Sequence, residues 1–378
     1  MVESHAASAD AVVAGLQTEL ARLAALDDGS ASALGAAFYT SPEFLELETG
    51  QLLRREWMCV GHVGELRNDG DHFTTELIGE QLLLVRHEGL VQALSNVCRH
   101  RGNRIVDASG NARRFTCGYH HWSYDPAGQL VNAPLMAGRS GFDASMCALP
   151  RFRTELWNGW IFVNLDGTAG PLADRLVGLD AVVANYHPAD RFLVFLEEDE
   201  WACNWKCLFE NFMEGYHLSA IHPTTLHPIT PTRLSKKMVS GDAWTGYHAY
   251  YDPSYPPRGP FHPDLTEDER NNSPMYGVFP NLVVGMATNF TLFMCLRPLG
   301  VDRVGIRWGV TGLHDDSEAA EVADYVALCR AFNAEDRDKL EVLQTALGTR
   351  HYDGGPLAPD DYEGTIWDFV RYLDRQLS

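Results

Sequence analysis

The sequence predicts an α+β protein of two domains: an all-β module, then an antiparallel sheet wrapped around a long helix. Three observations carry this. At 378 residues the chain is longer than one small core needs. Between about 58 and 165 it breaks into short apolar runs separated by Gly, Asp and Asn turns. Beyond Pro171, helical and strand patterns mix and end in a long helical stretch at about 316–347.

In chain order, Leu16, Leu20, Leu23 and Leu26 recur at helical spacing over 10–27. Ser41 as N-cap, Pro42 at the first helical position and Glu43 in the first turn announce a second helix, which carries Leu45, Leu52 and Leu53 toward Trp57. The runs HFTTELIG, QLLLVRHEG, LVQALSNV, ARRFTCG, HWSYDPAGQLV and GWIFVNLD follow as strands, with turns at 68–71, 87–89 and 125–128. Helices are expected at about 173–185 and 204–220, and strands at 281–298 and 302–311. The expected division is 1–42, a helical segment packing on the C-terminal domain; 43–168, the all-β domain; and 169–378, the mixed domain.

Net charge is −21, from 30 Lys+Arg against 51 Asp+Glu. A chain this acidic is not expected to bind nucleic acid or an anionic membrane, either of which wants a basic face. The first residues lack the charged and apolar regions of a signal peptide, and no apolar run reaches membrane-spanning length. The expectation is a cytoplasmic protein, in which eight scattered cysteines form no disulfide framework and clustered Cys and His read as metal sites.

Two such clusters stand out. Cys98-Arg99-His100 and Cys117-Gly118-Tyr119-His120 are separated by sixteen residues, at candidate strand ends. Two thiolates and two imidazoles bind either one tetrahedral zinc or a two-iron cluster with histidines on one iron. Zinc fingers pair Cys with Cys and His with His, whereas each arm here carries one of each, which favours the cluster. His121 competes with His120 as ligand, and the two-residue gap from Cys117 favours His120.

Further on, Glu210, Asn211, Glu214 and His217 form a polar face in an otherwise apolar helical stretch. His222 lies about 140° further round an ideal helix than His217, and the two converge if the helix ends before Pro223. Two imidazoles and one carboxylate make the facial triad of non-haem iron enzymes. Glu335-Asp336 is the best source of the carboxylate; on the residues alone His227, Asp338 and Glu341 are equal contenders.

CRHRGNRIV through CGYHHWSYDPAGQL, followed by GWIFVNLD, resembles the Rieske cluster motif of ring-hydroxylating and N- or O-demethylating oxygenases. NWK…EN…E-x-x-H-x-x-x-x-H-P and the later ED-x-x-x-x-E-x-x-Q resemble the iron-binding signature of the same Rieske non-haem iron oxygenases. The likeness runs from about 38 to 378. It departs at Gly118 and His121, where the family often has Pro and Ala, and neither is a ligand.

The resemblance implies a Rieske domain plus a catalytic domain of helix-grip type. Cys98 and Cys117 would hold one iron of a [2Fe–2S] cluster and His100 and His120 the other, while His217, His222 and Asp336 hold a mononuclear Fe(II). Glu214 matches the acidic residue that links a neighbouring subunit's cluster to the iron, in the variant of the demethylase-like branch, and Asn211 matches an Asn near the iron. Since the two centres of one chain are too far apart in this family, a head-to-tail homotrimer is implied, with His120 of one subunit bonding Glu214 of the next.

No G-x-G-x-x-G, Walker loop or second Cys cluster is present, so electrons are expected from a separate NAD(P)H reductase, with or without a ferredoxin. O₂ and a small organic substrate complete the expected partners. The Glu214 variant resembles the branch acting on carnitine-, betaine- or choline-like amines; aromatic-ring hydroxylation, dioxygenation or O-demethylation stays open beside it. A zinc-stabilised binding protein without redox activity would explain only the first cluster. Expected pocket walls are Met213, Tyr216, Leu218, the strands around Val283–Phe293, and Tyr247, Tyr250 and Tyr251.

Overall fold

The computed structural model describes residues 2–256, 259–349 and 351–378, with side chains from residue 9. It divides into two compact units, Arg54–Ala169 and Met1–Leu53 with Gly170–Ser378.

The first unit is all-β. A seven-stranded antiparallel sheet runs in the order Met58–His62, Trp160–Asn164, Arg151–Trp157, Leu90–Ser95, Glu80–His87, Asp71–Leu77 and Gly110–Asn111. A three-stranded sheet of Phe115–Thr116, Ser123–Tyr124 and Leu130–Asn132 lies in the same unit. Leu83, Val85 and Leu94 from the large sheet join Phe115 and Tyr124 from the small one, with Trp122 from the adjoining loop, in a single buried cluster that includes Cys98 and Cys117. Glu88, Gly89 and Gly128 take positive φ at the expected turns.

The second unit is built on a seven-stranded antiparallel sheet: Phe192–Trp201, Arg303–Gly312, Phe290–Gly300, Leu282–Met286, Asn272–Val278, Trp244–Tyr250 and Ser235–Lys237. The helix Ala320–Ala346 and the C-terminal helix Asp360–Leu377 belong to it. The latter drives Phe369 and Tyr372 into Phe279, at centroid distances of 5.5 and 4.4 Å. Its sequence pattern is amphipathic, yet the motifs around it drew no expectation there.

Three expectations change. Residues 43–53 group with this second unit: Ser41 caps the helix Pro42–Leu47 through Phe44 N–H at 3.1 Å, and Phe44, Leu52 and Leu53 are buried, while Leu45 is only partly so. The single helix over 173–185 is two short ones, Leu172–Arg175 and Leu179–Val183, interrupted at Gly178 with φ +89°. The helix over 204–220 is also broken, into Trp205–Phe212 and Leu218–Ile221.

The second break positions the site. Gly215 N–H donates to Tyr362 C=O at 3.0 Å, and the Thr365 hydroxyl donates to Met213 C=O, so the C-terminal helix pins the turn. A Cβ on Gly215 would come within 2.1 Å of Ser235 Oγ, so the close approach requires glycine.

Candidate active site

In the all-β unit the two Cys–His segments fold into matching loops. Cys98 N–H donates to Asn103 C=O and Cys117 N–H to Trp122 C=O, both at 2.8 Å. Gly102 N–H returns to Cys98 C=O and His121 N–H to Cys117 C=O, both at 3.0 Å. The residues closing the loops, Gly102 and His121, share the left-handed conformation at φ +75° and +59°. His121 thus occupies the turn position that glycine fills in the sister loop, and it is the His120 ring that meets His100, at a centroid distance of 4.6 Å.

Both thiols are buried, whereas His100 and His120 are exposed. His100 stacks on Trp122 at 4.8 Å and 9°. Tyr124 Oη lies 3.4 Å from Cys98 Sγ, and Asn103 donates to Cys117 Sγ at 3.7 Å. Burial pushes the Cys117 thiol up, but the Tyr119 and His120 amides, Cys98 and Asn103 together hold it below its ordinary pKa. Among the described residues, the triads of ligand atoms that gather within 4.8 Å are His217–His222–Asp336 and His187–His262–Asp264. The two loops together offer two thiols and two imidazoles, a donor set suited to a two-iron cluster with histidines on one iron.

The second unit brings His217, His222 and Asp336 together. His217 starts and His222 ends the short helix Leu218–Ile221. Asp336 comes from Ala320–Ala346, which is docked by Gln344 Oε1 accepting from Asn204 N–H at 2.8 Å and Glu341 Oε1 from Ala202 N–H at 3.2 Å. Asp336 Oδ1 lies 3.1 Å from His222 Nε2 and 3.6 Å from His217 Nε2.

The opposite ring nitrogens are committed to carboxylates: His222 Nδ1 donates to Glu335 Oε2 at 2.7 Å, and His217 Nδ1 to Glu214. Both Nε2 atoms therefore present lone pairs toward a carboxylate oxygen. His222 Nε2 and Asp336 Oδ1 are buried with no hydrogen-bond partner. Two facing acceptors in a buried site repel unless a cation lies between them, so this donor set fits a mononuclear metal.

Of the other contenders, Asp338 is exposed and two have other partners. Glu341 pairs with Arg337 at 2.9 Å and His227 Nδ1 meets Ser219 Oγ at 2.8 Å. Asn211 lines the cavity beside the triad; Glu210 turns away, accepting hydrogen bonds from Tyr39 Oη at 2.8 and 2.9 Å, and burial pushes its carboxyl up to about 7.

A cavity of about 490 Å³ opens onto the triad. Leu218, Tyr247 and Tyr251 line it as expected. Met213 is instead fully buried, Tyr216 is exposed, and Tyr250 donates to Asp268 at the surface. Sequence reasoning missed Tyr255, Tyr325 and Phe332 on the walls, and Glu321 and Asp324 on exposed positions at the same cavity. The helical spacing of 321, 324, 325, 328, 332 and 336 was the signal that could have found all of these but Tyr255.

An all-β module with paired Cys–His loops, encoded beside a sheet-and-helix unit that gathers two histidines and an aspartate, defines a protein with two distinct metal centres. Residues 56–152 match the Rieske [2Fe-2S] domain, and residues 181–378 match the ring hydroxylating alpha subunit (catalytic domain). The chain belongs to the ring-hydroxylating alpha-subunit family, and its cofactors are a [2Fe–2S] cluster and a mononuclear iron.

The chain is 33% identical over 223 residues to the carnitine monooxygenase oxygenase subunit of Escherichia coli K12, covering 58% of this chain and 59% of that protein. It is 34% identical over 212 residues to the benzene 1,2-dioxygenase subunit alpha of Pseudomonas putida, covering 53% and 46%. The match thus spans less than two thirds of either relative. The quaternary ammonium Rieske monooxygenase CntA, solved with L-carnitine, has the same fold, with a TM-score of 0.80 at 22% identity over 93% of this chain and 96% of that one. Naphthalene 1,2-dioxygenase from a Rhodococcus species shares it at a TM-score of 0.76 and 20% identity, over 91% and 94%. Among the described residues no helix is long and apolar enough to cross a membrane.

Proposed function

We propose that this chain is the terminal oxygenase of a multicomponent system that uses O₂ and electrons from a separate NAD(P)H reductase to hydroxylate or demethylate a small organic cation of the quaternary-amine kind. The observation that carries it is the buried, unpartnered pair His222 Nε2 and Asp336 Oδ1, 3.1 Å apart at the end of a ligand-sized cavity. In this reading His217, His222 and Asp336 hold the iron, and Cys98, Cys117, His100 and His120 hold the cluster. When bound, the iron supplies O₂ activation and the cluster supplies single electrons.

The chain's own residues set the conditions. Glu214 and Glu335 fix both ligand rings as the tautomers with free Nε2. Glu214 also accepts the N–H groups of Tyr216 and His217, so three of its roughly four acceptor positions are filled from its own chain. One remains for His120 of the next subunit in a head-to-tail trimer, and the exposure of His120 supports that use.

The substrate class rests on the walls. Tyr247, Tyr251, Tyr255 and Tyr325 offer π-faces, Glu321 and Asp324 add negative charge, and no described lining residue is Lys or Arg. The likeness to carnitine monooxygenase supports the same reading. The benzene dioxygenase likeness and the apolar walls support aromatic-ring oxidation as a second reading.

Metal and acid-labile sulfide analysis of anaerobically purified protein, with its visible spectrum, tests the proposal. Three irons and two sulfides per chain are expected. Zinc without sulfide overturns it, and a substrate screen with a surrogate reductase then separates amine from arene.

A further inference from the structure

We propose that His187, His262 and Asp264 form a separate surface site for one divalent ion of the zinc type, which ties a cavity-lining loop to the segment before the sheet. Their ligand atoms lie within 4.8 Å of one another, the second such gathering among the described residues. It does not depend on the function proposed above.

His187 sits between two single-turn helices, Ala184–Tyr186 and Pro188–Asp190, in the left-handed region at φ +48°. Non-glycine residues adopt this conformation rarely, and such strain concentrates where a side chain must be aimed. Here it accompanies an Nε2 lying 2.7 Å from Asp264 Oδ2.

A hydrogen bond from His187 to Asp264 would account for that distance alone. It does not account for His262, whose Nδ1 lies 3.7 Å from the same Asp264 oxygen and whose ring lies 4.0 Å from that of His187. The Asp264 N–H donates to His262 Nδ1 at 3.4 Å, which makes that nitrogen an acceptor. That long bond is replaced when Nδ1 turns its lone pair to a divalent cation, around whose place two imidazoles and a carboxylate oxygen already gather.

Two imidazoles and one carboxylate suit zinc, with solvent completing four-coordination. Asp190 Oδ2, 3.7 Å from His187 Nδ1, places a second carboxylate near the opposite nitrogen of that ring. The three side chains are 35%, 28% and 56% exposed, so an ion can reach them. Tyr255 and Gly259, earlier in the same connection, line the cavity. An ion held by His262 and Asp264 on one side and His187 on the other would therefore restrain a wall of the substrate site.

The test uses the purified chain with its iron and sulfide in place, equilibrated with zinc sulfate beside a weak chelator and then desalted. Wild type is expected to retain one zinc per chain more than His262→Gln or Asp264→Asn, with iron and sulfide equal in all three as the check on folding. Equal zinc in all three proteins, or none in wild type, overturns the site. Hydrogen exchange over residues 251–266 should slow on adding zinc to wild type and not to the variants; unchanged exchange in wild type overturns the tie to the loop.

Discussion

Glu335 Oε2 accepts a hydrogen bond from His222 Nδ1 at 2.7 Å and another from Thr225 Oγ1 at 2.6 Å. The neighbouring carboxylate, Asp336, meets the opposite nitrogen of the same ring at 3.1 Å. In the proposed site, two consecutive residues of one helix thus divide the work: one sets the tautomer, the other completes the ligand set. Glu335→Ala should weaken iron retention by about 10–100-fold, the usual cost of losing an outer partner of a metal-bound histidine. Dialysis against a chelator, then iron analysis with the cluster spectrum as internal reference, checks this. Retention equal to wild type would refute the orienting role.

Glu214 supports His217 in the same way, but its proposed second task lies between subunits. Glu214→Gln keeps a side chain of the same shape, so both metals should stay bound. Turnover should fall by at least about 10²-fold if the charged carboxylate carries the link, comparable to removing an aligned electrostatic partner from a reacting centre. Rapid mixing of the pre-reduced protein with O₂ and substrate gives the readout: the cluster should stay reduced while the iron content matches wild type. Normal cluster oxidation and product yield would remove Glu214 from the path.

A different kind of test concerns the scaffold under the iron. Lys206 Nζ and Glu48 Oε1 form an ion pair at 2.7 Å with both side chains 0% exposed. Tyr39, Phe44 and Trp205 surround the ammonium at 5.7, 5.6 and 5.2 Å from their centroids. Burial pushes the Glu48 carboxyl up, and Lys206 opposes it. Lys206→Met should cost about 3–5 kcal/mol, because it strands a buried carboxylate, and Lys206→Met with Glu48→Leu should recover most of that loss. Urea unfolding of the two variants decides it: equal losses would mean the pair is not coupled.

In the all-β unit, His62 is buried and accepts from Gly64 N–H at 3.1 Å. Desolvation, with Arg67 adding to it, lowers its pKa from 6.5 to about 4. Between those values the unfolded chain binds the proton and the folded chain does not, so stability rises with pH across the window. The contribution is complete above about 6.5 and lost as pH falls through about 4, amounting to roughly 3–4 kcal/mol. His62→Gln should flatten that part of the stability profile. An unaltered acid limb in the unfolding of this unit would show that His62 is not responsible.

Sequence reading reached the candidate ligands because metal chemistry restricts residue type and spacing so tightly. Cys98, His100, Cys117 and His120 are close in sequence, and the turn that ends before Pro223 lets His217 and His222 meet. Asp336 was different. Its helix carries Asp338 and Glu341 as well, and only the docking of Gln344 and Glu341 onto residues 202–204 sets which carboxylate points inward. The breaks at Gly178 and Gly215 were missed because long-range contacts decide them, as the 2.1 Å approach to Ser235 shows. Tyr216 and Tyr250 looked like wall residues by proximity in sequence; Tyr250 alternates with the cavity-lining Tyr247, Ala249 and Tyr251 and so faces away, while Tyr216 lies exposed in the break between the two short helices.

The acidic cavity positions give the last prediction. Glu321 and Asp324 lie on the first turns of the helix that, three turns further on, supplies Asp336, and both are exposed. Exposed carboxylates there attract a cation toward the cavity, and salt weakens the effect because such charges lie within reach of mobile ions. Glu321→Gln with Asp324→Asn should therefore raise KM for a trimethylammonium substrate, by no more than about tenfold in low salt, with kcat nearly unchanged. The difference from wild type should shrink at high ionic strength. A neutral arene of similar size should show no change in KM, since it has no charge for the carboxylates to act on. If both substrates respond alike, the two residues shape the opening rather than select charge. If the cation's KM does not move at all, the tyrosines carry recognition without them.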